Sequence, residues 1–212
     1  MKILHTVFAL LMLSLVSHAQ ESKPERPTFP SPDKKWEFRF DSEGHPEIVR
    51  TGTTEAILQL YDQCGPGLGD CKPPLWAPDS KRFALNAPDR GRYQPTSFYQ
   101  LSGDKWEELP SPDAIGDVLD KAIAVQVKKR GLSKKIELRL VSNPIRTIRW
   151  TDPDTALVYG FMGEIASGNA DIGFSASFLF TLKFDQTGEC KIVKTQRLSD
   201  KESQKYEKDS EN

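Results

Sequence analysis

The side chains that could do chemistry in this 212-residue chain are mostly acidic, because histidine is scarce. Of the three histidines, His5 and His18 lie in an apolar leader, so His45 alone remains for a mature protein. A nucleophile assisted by histidine would have to use His45, which sits in the turn-like stretch 43–46. The sequence also lacks a nucleophile elbow, a P-loop and an EF-hand calcium loop, so we predict no catalytic residue and no cofactor.

Paired carboxylates could act on a glycosidic bond or bind a calcium ion. Two pairs lie close in sequence: Asp152 with Asp154, and Glu164 with Asp171. Turn and surface roles account for most carboxylates of this kind, so we assign no metal ligand. The predicted glycine-containing loop 162–171 is nevertheless the candidate binding loop, with Glu164, Asn169 and Asp171, because loops held by rigid strands often carry function.

Two of the three cysteines are spaced for a disulfide. Cys64 and Cys71 flank the glycine-rich stretch 65–70, which is flexible enough to bring the two sulfurs together in an oxidising compartment. A redox-active pair would favour Cys-x-x-Cys, and a zinc site would need more ligands. We therefore predict a structural Cys64–Cys71 disulfide, and we expect Cys190 to be a buried thiol in a strand.

The first 19 residues have the pattern of a secretory signal peptide. Lys2 precedes an apolar run over 3–16, and Ser17-His18-Ala19 places small residues at a signal-peptidase site. The run is too short to span a bilayer. We therefore expect cleavage after residue 19, no membrane insertion afterwards, and a soluble protein in the periplasm or outside the cell.

The charge balance argues against general binding to polyanions. The chain has 29 basic and 30 acidic residues, a formal charge of −1 that becomes −2 when Lys2 leaves with the leader. A nearly neutral surface has no general attraction to nucleic acid or anionic lipid, so neither is a predicted partner.

Alternation of apolar and polar residues predicts a mainly β (α+β) domain over 20–199. Strands are expected at 36–40, 47–50, 56–61, 82–87, 96–101, 104–108, 135–141, 145–150, 155–161, 172–184 and 191–198. One helix is predicted near 112–130, with Ser111 as its cap, Pro112 at its first position and Gly131 at its end. The charged segment 200–212 is expected to be a disordered tail.

A turn that leads directly into a strand recurs in the sequence. Its fullest form is Trp76-Ala77-Pro78-Asp79-Ser80-Lys81-Arg82-Phe83, with partial echoes at 32–38 and 150–159. This pattern resembles the W-[ST]-P-D-[GS]-[KR] repeat of TolB-like β-propellers. Asp33 and Asp79 lie 46 residues apart, near the blade length of about 40 to 45 residues in related propeller repeats. Asp79 and Asp154 lie 75 apart, which approaches that length only if the predicted helix is an insertion.

The resemblance implies a propeller-like antiparallel sheet domain, open or incomplete, with one packed helix. Propellers close with about four or more blades, whereas only three uneven corners are present here. In the family the repeat residues are structural, which makes the following residues expected anchors: Trp36, Trp76, Pro78, Asp79, Trp150, Pro153 and Asp154. TolB-like domains generally bind other proteins in the periplasm.

Two functional hypotheses follow. The first is an exported, non-enzymatic binding or scaffold module whose partner is another protein of the cell envelope. The second is a small carboxylate-dependent hydrolase or lyase that acts on polysaccharide.

Overall fold

The structure is a computed structural model that describes residues 27–64, 71–86, 88, 93–110, 112–132 and 136–208. The predicted signal peptide, the stretch 65–70 and Ser111 lie outside the described residues. None of the helices in the described ranges combines the length and apolar character needed to cross a bilayer.

The first sheet is a four-stranded antiparallel meander that confirms the strands predicted in this region. Its strands, in spatial and chain order, are β1 (Phe29–Pro30), β2 (Trp36–Phe40), β3 (Pro46–Arg50) and β4 (Ala56–Gln59). A short helix, α1 (Tyr61–Cys64), follows it. The predicted strand over 56–61 therefore ends early, at Gln59. Cys64, in α1, forms the predicted disulfide with Cys71, and their Cα atoms lie 5.0 Å apart.

The second sheet is also four-stranded and antiparallel. Its strands are β5 (Leu75–Trp76), β6 (Arg82–Asn86), β8 (Thr96–Ser102) and β9 (Lys105–Glu108), whereas the intervening β7 (Tyr93–Gln94) belongs to the third sheet. Gly103 and Asp104 are the two residues between the paired ends of β8 and β9, so the predicted hairpin at this position is confirmed.

The third sheet follows helix α2 (Ala114–Lys129) and has much longer strands. They are β10 (Leu138–Asp152), β11 (Thr155–Ala166), β12 (Asn169–Phe184) and β13 (Cys190–Arg197), in the order β13-β12-β11-β10-β7. Only β7 runs parallel to its neighbour. The predicted helix is confirmed, and it ends before Gly131, which has a φ of 67° and donates its N–H to the Lys128 carbonyl.

The first two sheets begin with the same corner. In both, the aspartate carboxylate accepts a hydrogen bond from the backbone N–H two residues later, at 3.1 Å for Asp33 and 3.0 Å for Asp79. The residue after each aspartate has a positive φ, 58° at Lys34 and 60° at Ser80. The Asp33 N–H also donates to the Ser80 hydroxyl at 2.9 Å. The two corners are thus repeats of one local structure, and they contact each other.

The third predicted corner differs from the first two. Pro153 and Asp154 form a two-residue connection between Asp152 and Thr155, which pair across β10 and β11. The carboxylate that accepts a backbone N–H belongs to Asp152, from Asp154 at 3.0 Å. This turn is therefore a tight two-residue hairpin. Its accepting carboxylate comes before the proline, whereas Asp79 comes after Pro78, so Asp154 is not the structural counterpart of Asp79.

The second sheet is buried on both faces because successive strand residues point to opposite sides. On β6, Phe83 belongs to a smaller core shared with the first sheet, and Ala84 belongs to a larger core shared with the third sheet and α2. The smaller core holds Trp36 and half-buried Trp76. Trp150 is 9% exposed in the larger core, where its Nε1 donates to the Leu75 carbonyl at 2.8 Å.

Helix α2 lies against the inner face of the third sheet at Gly160. A Cβ atom at this position would be 2.9 Å from Phe180 Cε2, 3.4 Å from Ile115 Cγ2 and 3.5 Å from Leu119 Cδ1. Phe180, on the neighbouring strand β12, is fully buried and cannot easily give way. A side chain at Gly160 would therefore clash with Phe180, whereas the helix side chains would remain at contact distance.

A predicted interruption of the third sheet is absent. The strands predicted at 135–141 and 145–150 are parts of the single strand β10, which continues past Pro144 and accommodates a register shift between Leu140 and Ser142. Pro144 lies beside the two-residue strand β7, where the sheet has little continuous pairing to disturb.

The C-terminal segment was expected to be disordered, but its described part is helical. Helix α3 (Asp200–Lys208) begins after Ser199, whose N–H and hydroxyl both donate to Glu202, at 2.8 and 2.7 Å. This resembles the reciprocal start signal Ser-x-x-Glu, a local pattern that outweighs the charged composition of the segment. Tyr206 stacks on Tyr159 at 5.6 Å, and this contact supplies the anchor that holds the helix on the outer face of the sheet.

We expect intact mass to show the Cys64–Cys71 disulfide in mature protein exported with its leader. One thiol, that of Cys190, should alkylate without reductant under denaturing conditions, and three should alkylate after reduction. The double variant Cys64→Ser/Cys71→Ser should lose about 2.5 kcal/mol of unfolding free energy on the chain-entropy model. Alkylation of three thiols before reduction would contradict the pairing.

We expect Trp150→Ala to lower the free energy of unfolding by about 3–5 kcal/mol, because a buried ring is deleted from the larger core. Trp150→Phe should cost less, about 1–2 kcal/mol, since it keeps an aromatic ring but leaves the Leu75 carbonyl without its donor. Urea titration followed by circular dichroism measures both. An unchanged midpoint for Trp150→Ala would show that the ring does not support the core.

Candidate functional site

The predicted binding loop 162–171 is the end of a hairpin, and its candidate residues do not converge. Glu164 lies in β11 opposite Phe174, whereas Asn169 and Asp171 are exposed residues of β12. The Asn169 carboxamide oxygen accepts the Asp171 N–H at 3.1 Å, a local contact. The glycines suggested a loop, but among those described between 162 and 173 only Gly168 has a positive φ, of 83°.

The other predicted candidates have structural partners. The Asp154 carboxylate accepts the Thr155 hydroxyl at 2.9 Å and lies 3.8 Å from the Lys183 ammonium. His45 Nδ1 lies 3.2 Å from Asp41 Oδ2, and its ring contacts the edge of Tyr61. These groups hold turns in place and do not form a common site.

A cleft of about 280 Å³ lies between the first half of α2 and strand β10. We call it the acidic cleft. Its lining residues are Pro95, Thr96, Pro112, Asp113, Gly116, Asp117, Asp120, Asn143 and Ile145.

Helical spacing places three carboxylates along this cleft. Asp113, Asp117 and Asp120 are separated by four and three residues, so they share one face of the helix. Ile115 and Leu119 occupy the buried face and hold the helix on the sheet. Gly116 has nothing within 4 Å of the position a Cβ would take, so the space beside the helix between Asp113 and Asp117 is open.

These three carboxylates lack local compensation. Among the described residues, Asp113, Asp117 and Asp120 form no ion pair and accept no side-chain hydrogen bond, and Asp113 does not cap the helix through its side chain. The positive end of the helix stabilises the first turn, but the effect declines beyond it. Like charges at these spacings repel each other by a few tenths of a kcal/mol per pair. Among the described residues, the cleft is therefore negative without a paired cation.

Asn143, which lines the same cleft, has an unpaired buried oxygen. The residue is 7% exposed, and its Oδ1 has no hydrogen-bond partner in the described part of the chain. The same holds for four other buried polar atoms of the described residues: Gln63 Oε1, Trp76 Nε1, Tyr99 OH and Trp106 Nε1. Because the Asn143 oxygen is enclosed by protein, a ligand in the cleft does not contact it, and the character of the cleft rests on its carboxylates.

Glu164, one of the predicted candidates, lies close to the acidic cleft. On β11 it follows Val158, Gly160 and Met162 on the inner face of the sheet, toward α2. Burial raises the pKa of Glu164, and the negative charge of Asp120 raises it further. The structure thus brings one predicted residue near a helix that sequence analysis treated as structural.

Two larger cavities each contain charged side chains that are paired. A cavity of about 850 Å³ lies beside the two repeated corners, where Arg50 and Asp104 form an ion pair of 2.7 Å. Another, of about 480 Å³, adjoins Arg82, whose guanidinium donates to the Gln100 side chain and to the carbonyls of Pro153 and Asp185. Both cavities are lined by acidic and basic residues together, whereas the charged lining residues of the acidic cleft are all carboxylates.

The geometry disfavours a single metal ion as the ligand of the acidic cleft. In the described ranges, no group of three or more His, Cys, Asp or Glu side chains is arranged to hold a metal. The carboxylates instead form a row along the helix. Their acidic spacing was visible in the sequence, whereas the position of Asn143 opposite them was not.

We expect Glu164→Gln to stabilise the protein at pH 7 and to have little effect below about pH 4, where glutamate is protonated in the unfolded chain. The sign follows from the raised pKa of Glu164, because the folded state then binds the proton more tightly than the unfolded state. Wild-type stability from this group is present at low pH and is lost as pH rises through the raised pKa. Thermal melts from pH 3.5 to 8 measure the difference. A constant difference across this range would contradict the assignment.

Comparisons with known proteins leave the family open. No family model and no curated protein matches the chain. A search of solved structures includes a match to the complex structure of the fission yeast SREBP–SCAP binding domains, with 10% identity and a TM-score of 0.32. The match covers 82% of this chain and 37% of that one, so this chain spans well under half its length. A likeness at this level supports no conclusion about fold or function.

Proposed function

We propose that this protein is an exported, non-enzymatic binding module whose partner is another protein of the cell envelope. The observation that carries the proposal is the acidic cleft, where Asp113, Asp117 and Asp120 form no ion pair with any described residue. Like charges that repel each other in the free protein are relieved if a basic group of a partner compensates them.

The architecture supports a scaffold role of the TolB-like kind. The first two sheets start with the same aspartate corner and pack against each other through the smaller core, as consecutive propeller blades do. We propose that they are blade-like units and that the third sheet with α2 completes an open, propeller-like domain. The corner residues Pro78 and Asp79 are structural in this proposal.

Export is supported by two features. The leader over 1–19 has the pattern of a signal peptide, and the Cys64–Cys71 disulfide suits an oxidising compartment. We propose that the mature protein acts in the periplasm or outside the cell.

A second candidate function is supported by Glu164 and Asp120. A carboxyl whose pKa is raised by burial and by a neighbouring carboxylate resembles the acid and base pairs of glycoside-cleaving enzymes. The alternative is therefore a carboxylate-dependent hydrolase or lyase that acts on polysaccharide, with Glu164 as the acid.

A capture experiment with matched variants tests the proposal. Mature protein carrying an affinity tag is cross-linked in the cell-envelope fraction of its source and compared with Asp117→Asn/Asp120→Asn. The control, Glu55→Gln/Glu107→Gln, removes the same charge from exposed positions outside the acidic cleft. We expect one envelope protein to be captured by the wild type and the control, and to be lost with the cleft variant.

A polysaccharide panel completes this test. We expect no turnover by the wild-type protein. Turnover that Glu164→Gln abolishes would overturn the binding-module proposal in favour of the hydrolase or lyase.

A further inference from the structure

We propose that helix α3 is a displaceable cover over a docking surface on the outer face of the third sheet. The surface consists of Leu157, Tyr159 and Phe161 on β11 and Leu179 on β12, and we call it the Tyr159 face. The occupant that replaces α3 is an acidic segment of a partner protein, with an aromatic residue beside a carboxylate. The inference goes beyond the proposed function, because the acidic cleft lies on the other side of this sheet.

The burial of Tyr159 depends on α3. Val158 belongs to the larger core, so Tyr159, the next residue of the strand, lies on the opposite side of the sheet. That side faces away from α2, yet Tyr159 is 0% exposed. Its cover is α3, because Tyr206 stacks on its ring with the centroids 5.6 Å apart. The hydroxyl of Ser203, also in α3, lies 2.7 Å from the Tyr159 hydroxyl.

Few side chains hold α3 on the sheet. Within 200–207, Ser203 is buried and Tyr206 is half-buried, and the other residues are exposed. The Glu207 carboxylate adds a polar contact, since it accepts the Tyr159 hydroxyl at 3.1 Å. Isolated helices shorter than about 12–15 residues are marginal in water, so α3, with nine, depends on these contacts. An element of this kind opens locally at a lower free energy than the strands beneath it.

The Tyr159 face extends beyond its cover. Leu157, Phe161 and Leu179 remain partly exposed while α3 is docked. Undocking of the helix adds the Tyr159 ring to them, which leaves four apolar or aromatic side chains in one patch. Because contiguous apolar patches mark sites of protein interaction, the uncovered face is suited to another chain.

Basic side chains border the Tyr159 face. Arg149 of β10 lies opposite Leu157 in the sheet register. On the other side of Leu157, Thr181 is followed by Lys194 of β13 in the same row. Arg149 and Lys194 are exposed, and neither forms an ion pair with another described residue. Carboxylates of a partner segment therefore complement this border.

The contacts of α3 indicate the chemistry of the occupant. The helix presents an aromatic ring to Tyr159 through Tyr206 and, at the next residue, a carboxylate to its hydroxyl through Glu207. A partner segment in which an aromatic residue is followed by Asp or Glu reproduces both contacts. Further carboxylates on that segment pair with Arg149 and Lys194. In this arrangement α3 is an internal competitor that lowers the apparent affinity for the partner.

Hydrogen exchange followed by mass spectrometry tests whether α3 opens by itself. The proteins are the mature wild type, Tyr206→Ala and the control Lys205→Ala, whose exposed side chain lies on the face of α3 away from Ser203. We expect the helix in the wild type to exchange at least about tenfold faster than β11 and β12. Tyr206→Ala should remove the protection of α3 and leave that of the strands unchanged, whereas Lys205→Ala should match the wild type.

Peptide binding to the same proteins tests the docking surface. The probe is an acetylated and amidated peptide with the sequence of 199–208, and binding is followed through the tyrosine ring signals in nuclear magnetic resonance spectra. We expect the probe to shift the Tyr159 signal of the Tyr206→Ala protein. It should bind the wild type and Lys205→Ala at least about tenfold more weakly, because α3 occupies the surface. A peptide with Tyr206→Ala should not bind.

A second probe tests the acidic character of the occupant. In this peptide the three lysines of the first are replaced, as Lys201→Glu, Lys205→Glu and Lys208→Glu. We expect it to bind the Tyr206→Ala protein more tightly than the first probe, because its carboxylates face the basic border. Higher salt should reduce this advantage.

Several results would overturn the inference. Exchange of α3 only together with the strands would show that it is not a displaceable cover. An unshifted Tyr159 signal, equal binding of the probe to the wild type and Tyr206→Ala, or undiminished binding of the peptide without tyrosine would exclude the docking surface. Equal or weaker binding of the acidic peptide, or binding of dextran sulfate without binding of either peptide, would exclude an acidic protein segment as the occupant.

Discussion

The close approach of α2 to the third sheet is the constraint on which the candidate site depends. Ile115 and Leu119 pack on the sheet beside Gly160, and this contact leaves Asp113, Asp117 and Asp120 on the exposed side of the helix. The burial of apolar side chains supplies the stabilisation. The acidic cleft is a consequence, because its carboxylates lie on the helix surface left outside this contact.

The second sheet connects this site to the rest of the protein. It contributes to both cores, and Arg82 joins it to two turns of the third sheet through the carbonyls of Pro153 and Asp185. Arg82 is 9% exposed, and its hydrogen bonds compensate the burial of its charge. The α2 carboxylates differ from Arg82, because they are exposed and form no ion pair with any described residue.

Much of the local structure followed from sequence patterns. Period-two alternation located most strands, and the positions of Pro112 and Gly131 located the helix between them. The errors have physical causes. Stretches that contain glycine or proline, such as 162–171, continue as strands because pairing with neighbours outweighs a modest local penalty. The segment after Ser199 is helical because Glu202 supplies the start signal and Tyr206 finds a buried ring to stack on.

By itself, the sequence determined the mainly β class and the Cys64–Cys71 pairing, because each depends on chemistry or spacing within a short stretch of chain. The spacing of Asp113, Asp117 and Asp120 was also present in the sequence, but no motif distinguished this row from an ordinary solvated helix face. Only the tertiary structure decided what that row faces. Asn143 is far from Asp117 in sequence, and the two meet because α2 packs across strands that pair over long separations. Local patterns cannot specify such a meeting, since it depends on sheet register and helix docking together.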